Sequence, residues 1–199
     1  MKVGIYPGAF DPIHNGHIAF AHACIEQFGL DKVFFLPEPR PRHKQAVKAF
    51  EHRQHMTQIA IKSEPKFGLI IVEQQKFTIH ETWPSVTARF FDAELYMLLG
   101  SDVAHRLTTW PHIDELIRMA PHFLISQRTG KRSEVEDMVK TLKKTTKVPF
   151  SYKIVQPNYQ THSSRAIRMA LKKGQIPDGL AEPVIQYIQA ENLYISGAT

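Results

Sequence analysis

The amino-acid sequence predicts an α/β fold with a doubly wound, Rossmann-like and mostly parallel sheet that carries helices on both faces. Short runs rich in Val, Ile, Leu and Phe alternate with amphipathic segments, and each run is apolar at consecutive positions rather than at every second one. Strands covered by helices on both faces have this pattern. Repeated strand–helix–strand units connect through right-handed crossovers, which favours the doubly wound arrangement.

The apolar runs predict six strands, at 3–6, 32–37, 68–73, 94–100, 122–127 and 152–156. Between the first two, apolar residues recur at helical spacing from Ile18 to Phe28. His17 is expected to open this helix, and Gly29 ends it. Five further helices are predicted at 50–63, 113–119, 134–145, 163–173 and 180–192.

The length of 199 residues suits a single domain, 1–199, whose late phosphate-binding motif and C-terminal helices begin at about 157. No apolar run approaches the ~20 residues that cross a membrane, and no signal-peptide stretch precedes the first strand. The single cysteine, Cys24, excludes internal disulfides and thiolate-rich metal sites. These features predict a cytoplasmic protein.

The charge and the absent motifs narrow the function classes. A formal charge of +6 and an isoelectric point of about 9.4 fit partners rich in phosphate, and fit simple solubility equally well. The patterns G-x-G-x-x-G and G-x-x-x-x-G-K-[ST] do not occur, which argues against a dinucleotide-dependent oxidoreductase and a P-loop kinase. H-E-x-x-H is also absent, and the eleven histidines have no clear zinc spacing along the chain.

The turn after the first strand is the most informative stretch. It reads "GIYPGAFDPIHNGH" over residues 4–17, with three glycines, two prolines and two histidines. A strand followed by a glycine-rich turn and a helix start is a common phosphate site. Gly16 lets a ligand approach the backbone, while His14 and His17 can donate hydrogen bonds to a polyphosphate and stabilise charge in a transition state.

The loops after the other strands should gather at the same edge of the sheet. In doubly wound folds, ligands bind beyond the carboxyl ends of the strands, where the strand order reverses. The segments expected there, besides 7–15, are 37–48, 74–87, 101–112 and 157–163.

"GAFDPIHNGH" resembles the first motif of the nucleotidyltransferases related to class I aminoacyl-tRNA synthetases. Four further segments narrow the resemblance to the nicotinate mononucleotide adenylyltransferase family, and together they span nearly the whole chain. These segments are "PRPRHK" (39–44), "LLGSDVAHRLTTW" (98–110), "HSSRAIR" (162–168) and "IPDGLAEPVIQYIQAENLY" (176–194).

The resemblance implies transfer of AMP from ATP to the 5′-phosphate of nicotinic acid mononucleotide, which gives deamido-NAD and pyrophosphate. Mg²⁺ is implied with ATP. The expected partners are ATP and a phosphorylated small-molecule acceptor, without nucleic acid or membrane, and a homo-oligomer stays open.

The implied catalytic residues are His14, His17, Lys44 and Arg168. The implied ATP-binding residues are Gly8, Ala9, Phe10, His14, His17, Gly100, Asp102, Ser163, Ser164 and Arg168. Those implied for the mononucleotide are Lys44, Thr87 and Trp110, and none is assigned to a metal.

The chain departs from the family pattern at three positions. Ala9 stands where Ser or Thr is usual, and Arg165 stands at a threonine position of the late motif. Val86 replaces the tyrosine of a Ser-Tyr-Thr segment, and the chain from 84 to 95 reaches the next strand with most of the usual helix missing. Because that segment helps to form the pyridine pocket in the family, the choice of acceptor depends on it.

Alternatives stay open at this point. "YPGAFDP" also resembles pantetheine-phosphate adenylyltransferases, but those have threonine at the position of His14 and lack the "YIQAENLY" helix. A basic nucleic-acid-binding protein, a nucleotide sensor without activity and a synthetase fragment are weaker readings. Asp102 also suits a turn or helix cap, and Trp110, before Pro111, suits the core.

Overall fold

The computed structural model describes residues 1–41, 46–73, 78–120, 122–127, 132–156 and 162–195. It contains a six-stranded sheet in the order β3-β2-β1-β4-β5-β6, and every neighbouring pair is parallel. The strands are β1 (Lys2–Gly8), β2 (Lys32–Pro37), β3 (Phe67–Leu69), β4 (Glu94–Gly100), β5 (His122–Ser126) and β6 (Ser151–Val155). The predicted fold class is confirmed.

Eight α-helices are found in the described part of the chain. They are α1 (Asn15–Phe28), α2 (Phe50–Ile61), α3 (Thr82–Thr87), α4 (Ser101–Ala104), α5 (Ile113–Met119), α6 (Arg132–Thr146), α7 (Ser164–Lys172) and α8 (Glu182–Ala190). Two 3₁₀ turns lie at Ala88–Phe90 and Leu107–Thr109. No helix among the described residues is both long and apolar enough to span a bilayer.

The predicted elements agree with the structure except at three places. The third strand has three residues instead of the six expected, although Ile70 still donates its N–H to the Phe35 carbonyl at 2.9 Å. Helices α3 and α4 were not predicted, because six and four residues are too few to show a helical period. Helix α1 begins at Asn15 rather than His17, since His14 is its N-cap.

The core lies on both faces of the sheet, which explains why the strands are continuously apolar. Along β4, Met97 and Leu99 belong to one buried cluster and Leu98 to the other. Along β5 the same alternation places Phe123 in the first cluster and Leu124 in the second. Burying such a side chain contributes about 1.5–3 kcal/mol, so both layers of helices are needed to complete the fold.

The strand order determines where a ligand can bind. From β1 the chain proceeds outward to β2 and β3, then returns to β4 on the other side of β1 and continues to β5 and β6. The carboxyl ends of β1 and β4 therefore border the crevice at which the strand order reverses, the usual ligand position in such sheets. The loop after β1 and the start of α4 both lie there.

Candidate active site

The two histidines of the first motif form a stacked pair at the start of α1. Their ring centroids are 3.7 Å apart with an interplanar angle of 25°. The backbone N–H of His14 donates to Nδ1 of His17 at 3.2 Å. Because that nitrogen accepts, a neutral His17 carries its ring proton on Nε2. The fold thereby leaves Nε2–H as the hydrogen-bond donor that His17 can offer to an anion.

Aromatic side chains hold His17 in place. Both histidines are buried, with 2% of His14 and 8% of His17 exposed. The rings of Phe10 and Tyr6 approach His17 edge-on, with centroids at 5.1 Å and 6.0 Å. Such an apolar wall limits ring motion and lowers the local dielectric constant, which strengthens any hydrogen bond that His17 donates to a phosphate.

Two glycines of the motif make room for this packing. A Cβ atom on Gly8 would lie 2.9 Å from Cζ of Phe10, whose backbone adopts the left-handed region with φ 46°. A Cβ on Gly16 would lie 3.0 Å from Nδ1 of His14. The nearest neighbour of Gly16 is therefore the histidine ring, so its small size serves the His14–His17 stack first.

The start of α7 packs against the same loop. Ser163 is the N-cap of α7, and its Oγ accepts the Ala166 N–H at 3.1 Å. Ser164 donates its hydroxyl to the carbonyl of Pro12 at 3.0 Å, and Arg168 donates through Nη1 to the carbonyl of Asp11 at 2.6 Å. The structure thus brings the late motif beside the first one, as the sequence predicts.

Asp11 of the first motif is buried, and its carboxylate contacts residues of the C-terminal segment. Its Oδ1 accepts the Tyr194 hydroxyl at 2.6 Å and the Lys48 N–H at 3.2 Å. Nη1 of Arg168 lies 3.6 Å from Oδ2. Burial, followed by the charge of Asp11, raises the pKa of Tyr194, so its hydroxyl keeps its proton and donates. Sequence reasoning missed both residues, although Asp11 stands in "GAFDP" and Tyr194 closes the last matching segment.

Replacing Tyr194 by phenylalanine is expected to lower the free energy of unfolding by about 1.5–3 kcal/mol, because a buried carboxylate loses its hydroxyl donor. The matched control is Tyr96→Phe, which removes a hydroxyl bonded at 2.7 Å to the exposed Glu94. Urea denaturation of both variants measures the difference. Equal losses in the two variants would contradict a special role for the buried contact.

Arg53 is the third residue that sequence reasoning missed. It is completely buried on α2, and burial is the main cause that lowers its pKa. Its guanidinium remains charged, since the ordinary pKa is so high. It donates to four carbonyls at 2.7–2.8 Å, those of Lys48, Ala9, Glu38 and Pro39. One side chain therefore joins the loop after β1, which carries the histidines, to the loop after β2.

The remaining predicted residues lie across the crevice or outside the described chain. Gly100 ends β4 and is the N-cap of α4, and Asp102 is exposed in the first turn of that helix. Trp110 is half-buried and packs against the core. Thr87 is the last residue of α3, and its hydroxyl donates to the Pro84 carbonyl at 3.0 Å. Lys44 is among residues 42–45, which the structure does not describe.

This arrangement is suited to binding a polyphosphate. The N-terminal ends of α1 and α7 meet at one loop, and each brings the positive end of its helix dipole to that loop. His14, His17 and Arg168 add side chains that can donate to phosphate oxygens. Charge that develops on a phosphate there would be met by donors already in position.

Fold, site and sequence together define the class. The chain matches the cytidylyltransferase-like family over residues 5–170, and it belongs to that class of nucleotidyltransferases. It is 32% identical over 201 residues to the nicotinate-nucleotide adenylyltransferase of Bacillus subtilis strain 168, covering 98% of this chain and 99% of the relative. The chain therefore belongs to the nicotinate-nucleotide adenylyltransferase family, which confirms the resemblance found in its motifs.

Solved structures have the same fold. A nicotinic acid mononucleotide adenylyltransferase of Plasmodium falciparum in complex with NaAD superimposes with a TM-score of 0.77 and 21% identity, over 97% of each chain. A second structure of that protein, complexed with APC, gives a TM-score of 0.74 at 20% identity. At such identities the likeness concerns the arrangement of the sheet and helices.

Proposed function

We propose that this protein transfers AMP from ATP to the 5′-phosphate of nicotinic acid mononucleotide, forming deamido-NAD and releasing pyrophosphate. The observation that carries the proposal is that the His14–His17 pair and the start of α7 meet at the crevice where the strand order reverses. The chain that has this site is related over nearly its full length to the nicotinate-nucleotide adenylyltransferase family. A cytoplasmic location accords with this role.

The chemistry requires positioning more than proton transfer. The attacking 5′-phosphate is already an anion near neutral pH, so the reaction needs no general base. Two anions must instead be brought into line while negative charge builds up around the α-phosphate. Preorganised donors in a site partly closed to water are the effective means of doing this.

Each side chain then has a role that its contacts support. His14 and His17 bind the ATP phosphates, and Nε2–H of His17 donates to the oxygen on which charge develops. Ser163, Ser164 and Arg168 hold the β- and γ-phosphates at the start of α7. Arg168 has five N–H donors, and the Asp11 carbonyl takes one from Nη1, so its fork can serve a phosphate as well.

The other predicted residues complete the two substrate sites. Gly100 and Asp102, at the start of α4, position the adenosine. The ATP phosphates are bordered by Gly8, Ala9 and Phe10, at the end of β1 and in the loop after it. Trp110 stacks on the pyridine ring and Thr87 lies beside its carboxylate. Lys44 neutralises phosphate charge from the loop after β2. These roles rest on the family motifs.

Mg²⁺ enters with ATP as part of the substrate. The buried carboxylate of Asp11 accepts from Tyr194 and Lys48 through Oδ1, and its Oδ2 lies 3.6 Å from the positively charged Arg168, so it does not suit a metal ligand. The ion is carried by the triphosphate oxygens, which is common for Mg²⁺ in such enzymes.

The direct experiment is to incubate the protein with Mg-ATP and single acceptors and to measure pyrophosphate. Release is expected with nicotinic acid mononucleotide and not with ATP alone. Adenylylation of 4′-phosphopantetheine without any reaction of the mononucleotide would overturn the assignment. Salt-sensitive binding of oligonucleotides together with indifference to ATP would instead support the nucleic-acid alternative.

Discrimination between the acid and amide mononucleotides is expected to be modest. Val86 is completely buried in the core and offers no polar group to the acceptor. Thr87 is the last residue of α3, and its hydroxyl is bonded to Pro84. At the start of α3, Thr82 and Trp83 both donate their N–H groups to the Thr78 carbonyl, and Pro84 has no N–H. The described residues of α3 therefore place few fixed donors around the pyridine substituent. Stacking on Trp110 hardly depends on that substituent.

The measurement is the ratio of kcat/KM for nicotinic acid mononucleotide to that for nicotinamide mononucleotide. The positive surroundings should favour the acid by less than about a thousandfold, equivalent to roughly 4 kcal/mol. A much larger ratio would mean that donors outside α3 determine the selectivity.

A further inference from the structure

A cluster of two histidines and one glutamate, none of which has a role in the proposed reaction, lies on the surface at the start of α5. Nδ1 of His80 is 3.2 Å from Oε2 of Glu115, and Nδ1 of His112 is 3.0 Å from Oε1 of the same carboxylate. One ligand atom from each residue lies within 4.8 Å of the other two. We propose that the His80–His112–Glu115 cluster binds a divalent transition-metal ion, with Zn²⁺ as the best fit.

The donor set matches the chemistry of zinc. Two imidazole nitrogens and one carboxylate oxygen are a set that Zn²⁺ accepts, with water in the fourth position of a tetrahedral site. Ca²⁺ and Mg²⁺ prefer oxygen ligands, so nitrogen donors select against them.

The metal-free cluster can change to the metal-bound form without a change of fold. Each neutral imidazole that donates its Nδ1 proton to Glu115 must move that proton to Nε2 before Nδ1 can bind a metal. The side chains of His80 and His112 are 70% and 52% exposed, so water can carry the proton. The ring centroids are already 5.2 Å apart, and both Nδ1 atoms face one carboxylate.

The backbone on both sides of the cluster is anchored. His112 is the N-cap of α5 in the left-handed region with φ 58°, and its carbonyl accepts the N–H of Glu115 at 3.1 Å. On the other side, Thr78 and Thr82 exchange two hydrogen bonds at 3.0 Å around His80. Little chain entropy is therefore lost when the three ligands are ordered, which favours metal binding.

The position of the cluster gives the metal a structural consequence. His80 precedes α3, which contains Trp83, and His112 follows Trp110 by two residues. A bound ion would join these two segments by coordinate bonds. Because Trp83 and Trp110 are the only tryptophans in the chain, fluorescence reports on this region specifically.

The test uses the full-length, tag-free protein after removal of metal. Titration with Co²⁺ should give the visible absorption bands of a tetrahedral site, and Zn²⁺ should displace the Co²⁺ and raise the melting temperature. His80→Asn and His112→Asn should each weaken Zn²⁺ binding at least about tenfold, as measured by competition with a chromogenic chelator. Cu²⁺ should quench the tryptophan fluorescence of the wild type more strongly than that of either variant.

His122→Asn is the matched control. Nε2 of His122 lies 3.2 Å from Glu94, a histidine–glutamate pair outside the cluster. This variant should bind Zn²⁺ like the wild type. An equal loss of Zn²⁺ affinity in His122→Asn and His80→Asn would overturn the proposal. So would a wild-type protein whose visible absorption and melting temperature do not change when Co²⁺ or Zn²⁺ is added. Since His80 and His112 are exposed, their variants are expected to fold normally.

Discussion

Replacing His17 by alanine is expected to lower kcat for AMP transfer by about a hundredfold, while ATP binding changes little. Removing one preorganised donor aimed at developing charge typically costs about 3 kcal/mol in the transition state. The donor in question is Nε2–H, because Nδ1 of His17 accepts the His14 N–H. An interaction that strengthens only as charge develops affects kcat more than substrate affinity.

The variant should still fold, at a modest cost. His17→Ala leaves the buried His14 N–H without its acceptor, which costs about 1–3 kcal/mol of stability. His22→Ala is the matched control, because His22 lies on the same helix and pairs with Glu64 at 3.4 Å on the surface. Single-turnover rates and equilibrium binding of ATP separate the two effects. Unchanged turnover in folded His17→Ala protein would remove this residue from the mechanism.

Replacing Arg53 by leucine should produce the largest loss of stability, about 3–5 kcal/mol in the free energy of unfolding. The substitution leaves four carbonyls in the loops after β1 and β2 without their donor, and each unpaired buried group is costly. Because Ala9 is one of these acceptors, the loop that carries the histidines should also lose its position. The KM for ATP is therefore expected to rise in parallel.

Two companion variants test the reason for the effect. Arg53→Lys keeps a positive charge but cannot reproduce the planar fork, so it should lose part of the stability and not all of it. Arg118→Leu removes an exposed arginine bonded to Asp114 at 2.7 Å and should remain near the wild type, since exposed ion pairs contribute little. Urea denaturation measures all three. An Arg53→Leu protein as stable as Arg118→Leu would contradict the proposed role of Arg53 in joining the loops after β1 and β2.

Much of the fold follows from local sequence patterns. Continuous apolar runs such as that of β4 show burial on both faces, and the amphipathic repeat that ends at Gly29 marks α1. Short elements carry no such pattern. Helices α3 and α4 contain six and four residues, so only contacts with the rest of the chain decide that they form.

The motif around His14 and His17 was likewise readable from the sequence, because a strand, a glycine-rich turn and a helix start lie within a few residues. The family could be named from five such segments. The hydrogen bonds that these segments make with one another could not be predicted from the sequence. The choice of Nε2 as the donor of His17 depends on the His14 N–H, and that contact depends on where α1 begins.

Only the tertiary structure reveals Asp11, Tyr194 and Arg53 as supports of the site. Tyr194 reaches Asp11 across 183 residues, and Arg53 reaches the carbonyl of Ala9 across 44. The histidines of the proposed metal cluster, His80 and His112, likewise have no recognisable spacing along the chain. Local propensity and turn chemistry depend on neighbours in sequence, whereas hydrogen bonds to a buried arginine or carboxylate depend on where the crossovers place distant loops.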